Sequence, residues 1–481
     1  MSLLKILSKN LFKTVPAQTG LLLLATLSMP VVANAGSSQS SKRSTVDVTA
    51  KVANPVMMAN EKATNYVRIA LTGFDPPDSP AMPPVNVAIV IDNSSSMGGS
   101  KIKQARQAAI AAMNRLRDQD IVSIVLYNSS VEVLVPATKA VDRAQIKKQI
   151  QTIRAGGSTA LFAGVSKGAA EVRKFLSDES VNRVILLSDG QANVGPSSPS
   201  ELARLGTSLV KEGISVSTLG LGLGYNEDLM SDLASSGSGN HIFVEEASDL
   251  IAVFNNEFND MMSVVATDFK IRIRADESVR PVRVLGTDAE IVGQDISIPL
   301  AQLYSGQQRY FVLELEVAAA ELGQELQLVT VEVSYNNMIT EVTDEFKTSV
   351  NVSFTDDIAE TKQNRDHETY AYCSVQIANE RNVRATALRD AGQIQDAKQL
   401  LDQNAKELKR VAIECRDNNV THVLPELEDN INLNRDSAAL VEEKNWSRNR
   451  KAFRAKQYEV QSQQRSSSPL DYLKGGSSRS K

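Results

Sequence analysis

The stretch that most limits what this chain can fold into is Val85–Ser96, V-N-V-A-I-V-I-D-N-S-S-S. A run of mostly β-branched and small apolar residues, so sharply bounded, suits a parallel strand covered by helices on both faces. It breaks off at a carboxylate followed by hydroxyls. Asp92, Ser94 and Ser96 occupy alternate positions, and extended backbone would aim all three the same way, because side chains alternate across a strand. Three oxygen side chains directed at one point beyond a strand's carboxyl end describe a site for a hard cation.

The residues that follow alternate strand and helix. Lys101–Leu116 carries Ile102, Ala105, Ala109 and Met113 at helical spacing, and Ile121–Tyr127 reads as a strand with Val131–Val135 as its hairpin partner. Helices are expected over Ala144–Ile153, Leu161–Leu176, Ser200–Lys211 and Leu250–Met262, with a short one near Leu229. Val181–Leu187 is a second buried strand, running into Ser188-Asp189-Gly190; Ile214–Leu219 is a third, and His241–Val244 closes the unit. Strands separated by helices of this length imply βαβ units, hence an α/β fold with a doubly wound, mostly parallel sheet over residues 85–263.

At 481 residues the chain is too long for a single core and suggests two to four domains. Residues 36–84 offer β strands and a proline-rich connector through Pro76, Pro77, Pro80, Pro83 and Pro84. Residues 264–355 alternate apolar and polar positions (F-K-I-R-I-R, Y-F-V-L-E-L-E-V), the pattern of an antiparallel β-sandwich. The N-terminal strands are too few to stand alone, so they are expected to pair with that later block, splitting the sandwich around the α/β unit. A helical region follows over 356–430, with a hairpin around Gly392 that resembles a single tetratricopeptide-type unit, and residues 431–481 read as a polar, flexible tail. Cys373 and Cys415, the only cysteines, flank that hairpin turn and suggest one disulfide, with free buried thiols as the alternative.

The strands ending at Asp92 and Asp189 are central-strand candidates, and ligands of open α/β sheets sit outside the carboxyl ends of such strands, at the topological switch. Gly156-Gly157-Ser158-Thr159 opens a helix and offers one more hydroxyl. Asp92, Ser94, Ser96, Thr159 and Asp189 are therefore expected to converge, although helix caps and loop hydrogen bonds could also employ the two carboxylates.

With D-N-S-S-S, G-G-S-T and L-L-S-D-G in this order, the region Val85–Met262 resembles a von Willebrand factor type A (VWA) domain with all five positions of that family's metal-ion-dependent adhesion site filled. The flanks resemble, more loosely, exported bacterial proteins of the calcium-activated-chloride-channel-like and inter-α-trypsin-inhibitor-heavy-chain-like groups. The resemblance implies that Ser94 and Ser96 coordinate a divalent cation directly, Asp92 and Asp189 directly or through water, and Thr159 according to an open or closed state. Magnesium is the expected metal, with manganese and calcium as alternatives. The remaining coordination position would take an Asp or Glu from a protein partner.

Other features exclude other chemistries. A net charge of -5, from 52 basic and 57 acidic residues, argues against nucleic acid as the partner. Gly220-Leu221-Gly222-Leu223-Gly224 lacks the full dinucleotide fingerprint and reads as a loop. His241, His367 and His422 lack metal-ligand spacing, and no G-x-S-x-G occurs. Lys5, Lys9 and Lys13, the apolar Gly20–Val32 and Ala33-Asn34-Ala35 form a secretory leader cleaved after Ala35, or, alternatively, an uncleaved anchor. No later segment is apolar enough to span a bilayer. The expectation is thus a periplasmic or secreted, non-enzymatic binding protein. The alternatives are a structural envelope component whose metal only stabilises the fold and a metal-dependent hydrolase.

Overall fold

Two antiparallel-type sheets and one helix-covered sheet account for the strands among the described residues, and the chain enters the first two, leaves, and returns. A computed structural model describes residues 44–74 and 83–464. The leader-like segment, the prolines at 76, 77 and 80, and the last residues of the tail lie outside the described residues. Strands β1 (Val46–Val52), β2 (Val56–Met58) and β3 (Ala63–Gly73) come first.

The α/β layer then runs β4 (Val85–Asp92), α1 (Ser100–Met113), β5 (Ile121–Tyr127), β6 (Val131–Lys139), α2 (Arg143–Gln151), α3 (Leu161–Val172), β7 (Val181–Ser188), α4 (Pro199–Lys211), β8 (Ser215–Leu221), α5 (Glu227–Ser236), β9 (Ser238–Val244) and α6 (Leu250–Met262). Its sheet has the order β6-β5-β4-β7-β8-β9, parallel except for the β5–β6 hairpin. Every residue of β4, β5, β7 and β8 is buried, which is why these strands read as near-continuous apolar runs. The order reverses between β4 and β7, so the carboxyl ends of those two strands flank the crevice. α3 presses on the sheet through Gly164, where a methyl group would meet the Tyr127 ring at 2.7 Å.

Ten strands make the split sandwich that the strand pattern implies. After the α/β layer come β10 (Val264–Ala275), β11 (Val279–Leu285), β12 (Glu290–Val292), β13 (Asp295–Tyr304), β14 (Gln308–Val317), β15 (Glu325–Asn337) and β16 (Val342–Thr355). One sheet is β1-β3-β14-β11; the other is β12-β13-β10-β15-β16-β2, with β2 parallel to β16. Val67, Ile69 and Leu71 from β3 share a core with Phe311, Leu313 and Leu315 from β14 and Ile271 and Val331 from the facing sheet.

Helices α7 (Ile358–Gln363), α8 (His367–Asp390), α9 (Ile394–Asp417), α10 (Leu424–Leu440) and α11 (Trp446–Ser462) complete the described chain. The α8–α9 turn uses Gly392 at φ +81°, a left-handed conformation that costs glycine little.

Two expectations need correction here. The polar tail expected from residue 431 is instead helical as far as Ser462. Its hydropathy misleads because α11 is held largely by charge: Arg450 pairs with Glu227 (2.5 Å), Asp228 (2.6 Å) and Asp390 (2.8 Å), Lys451 with Glu227, and Arg454 with Asp228 (2.7 Å). Phe453, Ala455 and Tyr458 are buried between these pairs. The disulfide between Cys373 and Cys415 is not formed; both thiols are free and buried. Cys373 turns from α8 toward Ala70, Tyr310 and Val312 of the sandwich, whereas Cys415 packs among Ala371, Val375 and Leu427, its Sγ 3.6 Å from the His367 carbonyl. The hairpin brings the helices together but points the two sulfurs to different cores.

His241 on β9 illustrates the packing of α11 on the α/β layer. Thr218 Oγ1 donates to the Met230 carbonyl, so the imidazole Nδ1 donates to Thr218 (2.8 Å), and Nε2 is enclosed without a partner. Burial, helped by Arg454 and Lys451 of α11, pulls its pKa down from 6.5 to about 3. An unfolded chain protonates this ring near 6.5 and the folded chain only near 3, so stability present above pH 6.5 is lost as pH falls through that window. His241→Gln should lose less stability than wild type between pH 6.5 and 3 in urea titrations at fixed ionic strength; equal losses would place the acid sensitivity elsewhere.

Candidate metal centre

The end of β4 is tied down before any ligand is considered. Asn93 N donates to the Tyr127 carbonyl (2.9 Å), continuing the ladder one residue past Asp92, and Ser94 N donates to Asp92 Oδ1 (2.8 Å). Ser94 is extended (φ −63°, ψ 171°), but Ser95–Met97 winds into one 3₁₀ turn before Gly99, at φ +75°, leads into α1. Strand alternation therefore does not align Ser94 and Ser96, as the sequence pattern suggested; the turn does, setting their hydroxyls 3.0 Å apart. Met97, fully buried, anchors that turn in the core beneath.

The second carboxylate arrives from β7. Ser188 Oγ donates to Asp92 Oδ2 (2.9 Å), and Asp189 Oδ1 accepts from Ser96 Oγ (2.7 Å). The third segment is stitched to the first through backbone: Gly156 N donates to the Asn93 carbonyl (2.7 Å) and Ser95 N to the Gly157 carbonyl (3.0 Å). Thr159 N donates to Asn193 Oδ1 (2.8 Å), which fixes this residue against the loop after β7. Gly190 lies against the result. A methyl group there would stand 3.4 Å from Ser96 Oγ, 3.5 Å from Thr159 Oγ1 and 3.9 Å from Asp92 Oδ2. Asp92, Ser94, Ser96, Thr159 and Asp189 are thus brought together at the carboxyl end of the sheet. The cysteines and histidines are not part of this group.

The electrostatics of the group are unbalanced. Asp92 and Asp189 are almost wholly buried. Burial raises the pKa of Asp92; hydrogen bonds from Ser94 and Ser188 oppose that, and the charge on Asp189 adds to it. The Lys101 ammonium pairs with Asp189 Oδ2. Sequence reasoning missed this lysine, though a signal was present: it lies in the first turn of α1, where the helix dipole disfavours a cation. Asn193 and Ser188, which orient Thr159 and Asp92, were missed as well: Asn193 lies outside the spaced motif, and Ser188 lies in it at a position given no role.

The donor set fits a hard divalent cation. Two carboxylates and three hydroxyls offer only oxygen, and an ammonium already lies where positive charge is favoured. Among the described residues no group of three or more His, Cys, Asp or Glu side chains could hold a metal, so the hydroxyls are essential to the set. The glycines at 220–224 serve this neighbourhood too. Gly220 leaves room for the Tyr225 ring, and a methyl group on Gly224 would meet the Asp189 carbonyl at 2.8 Å. They permit close packing beside the site and cradle no phosphate motif.

Comparison with known proteins identifies the fold that carries these residues. The family model for the von Willebrand factor type A domain matches residues 86–257. The chain is 30% identical over 197 residues to the uncharacterised protein YfbK of Escherichia coli (strain K12), covering 40% of this chain and 34% of that one. It is 26% identical over 207 residues to inter-alpha-trypsin inhibitor heavy chain H3 of Rattus norvegicus, covering 41% of this chain and 23% of that one. The chain therefore spans about a third of the first relative's length and about a quarter of the second's. A solved structure described as von Willebrand factor type A from Catenulispora acidiphila superposes with a TM-score of 0.64 at 17% identity, over 80% of this chain and 90% of that one. At that identity the likeness establishes fold, including the sandwich and helical layers outside the α/β sheet.

Asp92→Asn removes a buried charge and its repulsion with Asp189 while keeping an acceptor for Ser94 N. In chelator at neutral pH the variant should be within about 1 kcal/mol of wild type or slightly more stable. A loss above about 2 kcal/mol in urea melts would show that the carboxylate is already well compensated inside the fold.

Proposed function

We propose, from the premise that residues 86–257 are a von Willebrand factor type A domain, that this chain binds a protein partner through a divalent cation and an acidic side chain of that partner. Domains of this type typically mediate protein–protein interaction. The observation that carries the proposal is the gathering of five oxygen side chains from three loops around Gly190, with Ser96 Oγ linking Ser94 to Asp189.

Asp92, Ser94, Ser96, Thr159 and Asp189 would hold the cation, magnesium by preference for its small size and oxygen ligands, with manganese or calcium as substitutes. When bound, it supplies charge neutralisation for the two carboxylates and a coordination position for a partner's Asp or Glu. The chain's own groups do the rest. Ser188 and the Ser94 amide orient Asp92, the 3₁₀ turn presents both serine hydroxyls together, and Asn193 holds Thr159 on a separate loop. Lys101 would leave Asp189 when stronger positive charge arrives. The hydroxyl-rich neighbours of Asp92 and Asp189 suit a cation better than an acid–base pair, which favours binding over hydrolysis.

Among the described residues no helix is long and apolar enough to cross a membrane. We place the protein in the periplasm or outside the cell on the leader-like pattern ending at Ala35. N-terminal sequencing of protein expressed from the full reading frame should begin at Gly36, and material starting at Met1 would argue against export by cleavage.

Magnesium at millimolar concentration should raise the melting temperature of wild type by several degrees relative to chelator, and Asp189→Ala should abolish the shift. Affinity capture on wild-type protein should retain a partner with magnesium and release it with chelator, and folded Asp189→Ala should retain none. Capture that ignores both metal and mutation would overturn the reading.

A further inference from the structure

Two arginines stand where the α/β layer, the sandwich and α11 meet, and their surroundings differ. Arg183 on β7 is fully enclosed and fully partnered, with Glu257 at 2.6 Å, the Tyr304 hydroxyl at 2.5 Å and Ser215 Oγ at 3.2 Å. Arg309, on β14, is half-buried; its Nε is shut away from solvent with no acceptor, and among the described residues no acceptor is hydrogen-bonded to its other guanidinium nitrogens. Its Cζ stands 5.7 Å from the Phe311 ring. The groups acting on its charge are the phenols of Tyr458, Tyr304 and Tyr310, not carboxylates, and burial draws its pKa down to about 10.

The guanidinium opens onto a polar cavity of about 40 Å³, which Ser238, Thr287, Gln307, Tyr458 and Ser462 also line. Space for one water needs about 10–15 Å³, so this cavity admits several waters or one small ion. Gln307 is 93% buried in the same wall, at 7% exposure. Its Oε1 accepts from Tyr304 N at 3.3 Å, which leaves its Nε2 donor without a protein partner. A half-buried guanidinium whose enclosed Nε has no acceptor and a buried glutamine amide line one hollow. Buried charge is normally paired, and a planar fork of N–H donors suits an oxyanion.

We propose that this junction is an anion-binding site in which Arg309 and Gln307 hold a small oxyanion such as inorganic phosphate or sulfate. The site lies apart from the candidate metal centre and does not depend on it. Its walls come from β9, the loop after β11, β13, the start of β14 and α11, so an anion here would join the three layers of the molecule.

The test uses the full chain and inorganic phosphate exchanged for chloride at constant ionic strength. Wild type should show a saturable rise in melting temperature of a few degrees and one-site heat in calorimetry. Arg309→Met should show neither, keeping only the shallow linear rise that phosphate gives through exclusion from protein surface. Without phosphate, Arg309→Met should melt no lower than wild type, because the charge it deletes has no protein acceptor and its Nε is buried without one. Arg309→Lys keeps the charge but loses the fork, and should bind phosphate roughly tenfold more weakly. Identical phosphate responses in wild type and Arg309→Met, or no binding heat in wild type, would overturn the proposal. So would a destabilisation by Arg309→Met that is equal with and without phosphate.

Discussion

The pairing of β4 with β7 is the constraint from which the rest of the site follows. Their parallel register puts Ile91 opposite Leu187, so the next residues along each strand, Asp92 and Ser188, leave the sheet side by side. Ser188 then bonds Asp92, and Asp189 lies one residue further on, within reach of Ser96. A slip of one residue would turn these side chains to the opposite face of the sheet. The register is protected because both strands are buried along their whole length. The core therefore sets the chemistry of the crevice, through the alignment of two strands that are buried throughout and hold the site residues only at their carboxyl ends.

That alignment carries an electrostatic cost. Two enclosed carboxylates share a crevice with hydroxyls, which orient them without cancelling their charge. Lys101 offsets part of this by reaching Asp189 from the first turn of α1, against the preference of the helix dipole. A site that recruits an unfavourably placed ammonium is one in which positive charge has a large effect. The same reasoning, with the sign reversed, applies at the layer junction. Arg183 meets Glu257 there, while Arg309 faces only phenols.

How much of this could be read from the sequence depended on which force holds each part. The buried parallel strands were legible because apolar burial on both faces leaves an unbroken signature, and their ends located Asp92 and Asp189. The split sandwich was legible because three N-terminal strands cannot make a core alone. Convergence of the site was foreseen for a partly mistaken reason, since a 3₁₀ turn, not strand alternation, aligns Ser94 with Ser96. Helix α11 was illegible because ion pairs to Glu227 and Asp228 replace the apolar stripe that marks a docked helix. The cysteine pairing failed on direction: spacing along a hairpin says how near two residues are, not which core each side chain enters. Lys101 and Asn193 act through contacts with residues far along the chain, which a linear pattern does not reveal.

The flanking layers also bear on the crevice itself. Lys451 of α11 donates to the Tyr225 carbonyl at 2.6 Å, its ammonium 4.5 Å from the centre of the Tyr225 ring, and pairs with Glu227. Tyr225 fills the space that Gly220 leaves open, and the Gly222–Tyr225 turn passes against the Asp189 carbonyl on one side and the Lys101 side chain on the other. The last described helix thus braces the loop that forms one rim of the candidate metal centre, although the two are separated by the whole sandwich in sequence. A helix fastened by charge is weakened by salt more readily than one fastened by apolar packing. The buried Phe453, Ala455 and Tyr458 limit that weakness by keeping α11 in place when its ion pairs are screened. The rim is therefore supported by ion pairs, which salt screens, and by apolar burial, which screening leaves in place and kosmotropic salts strengthen.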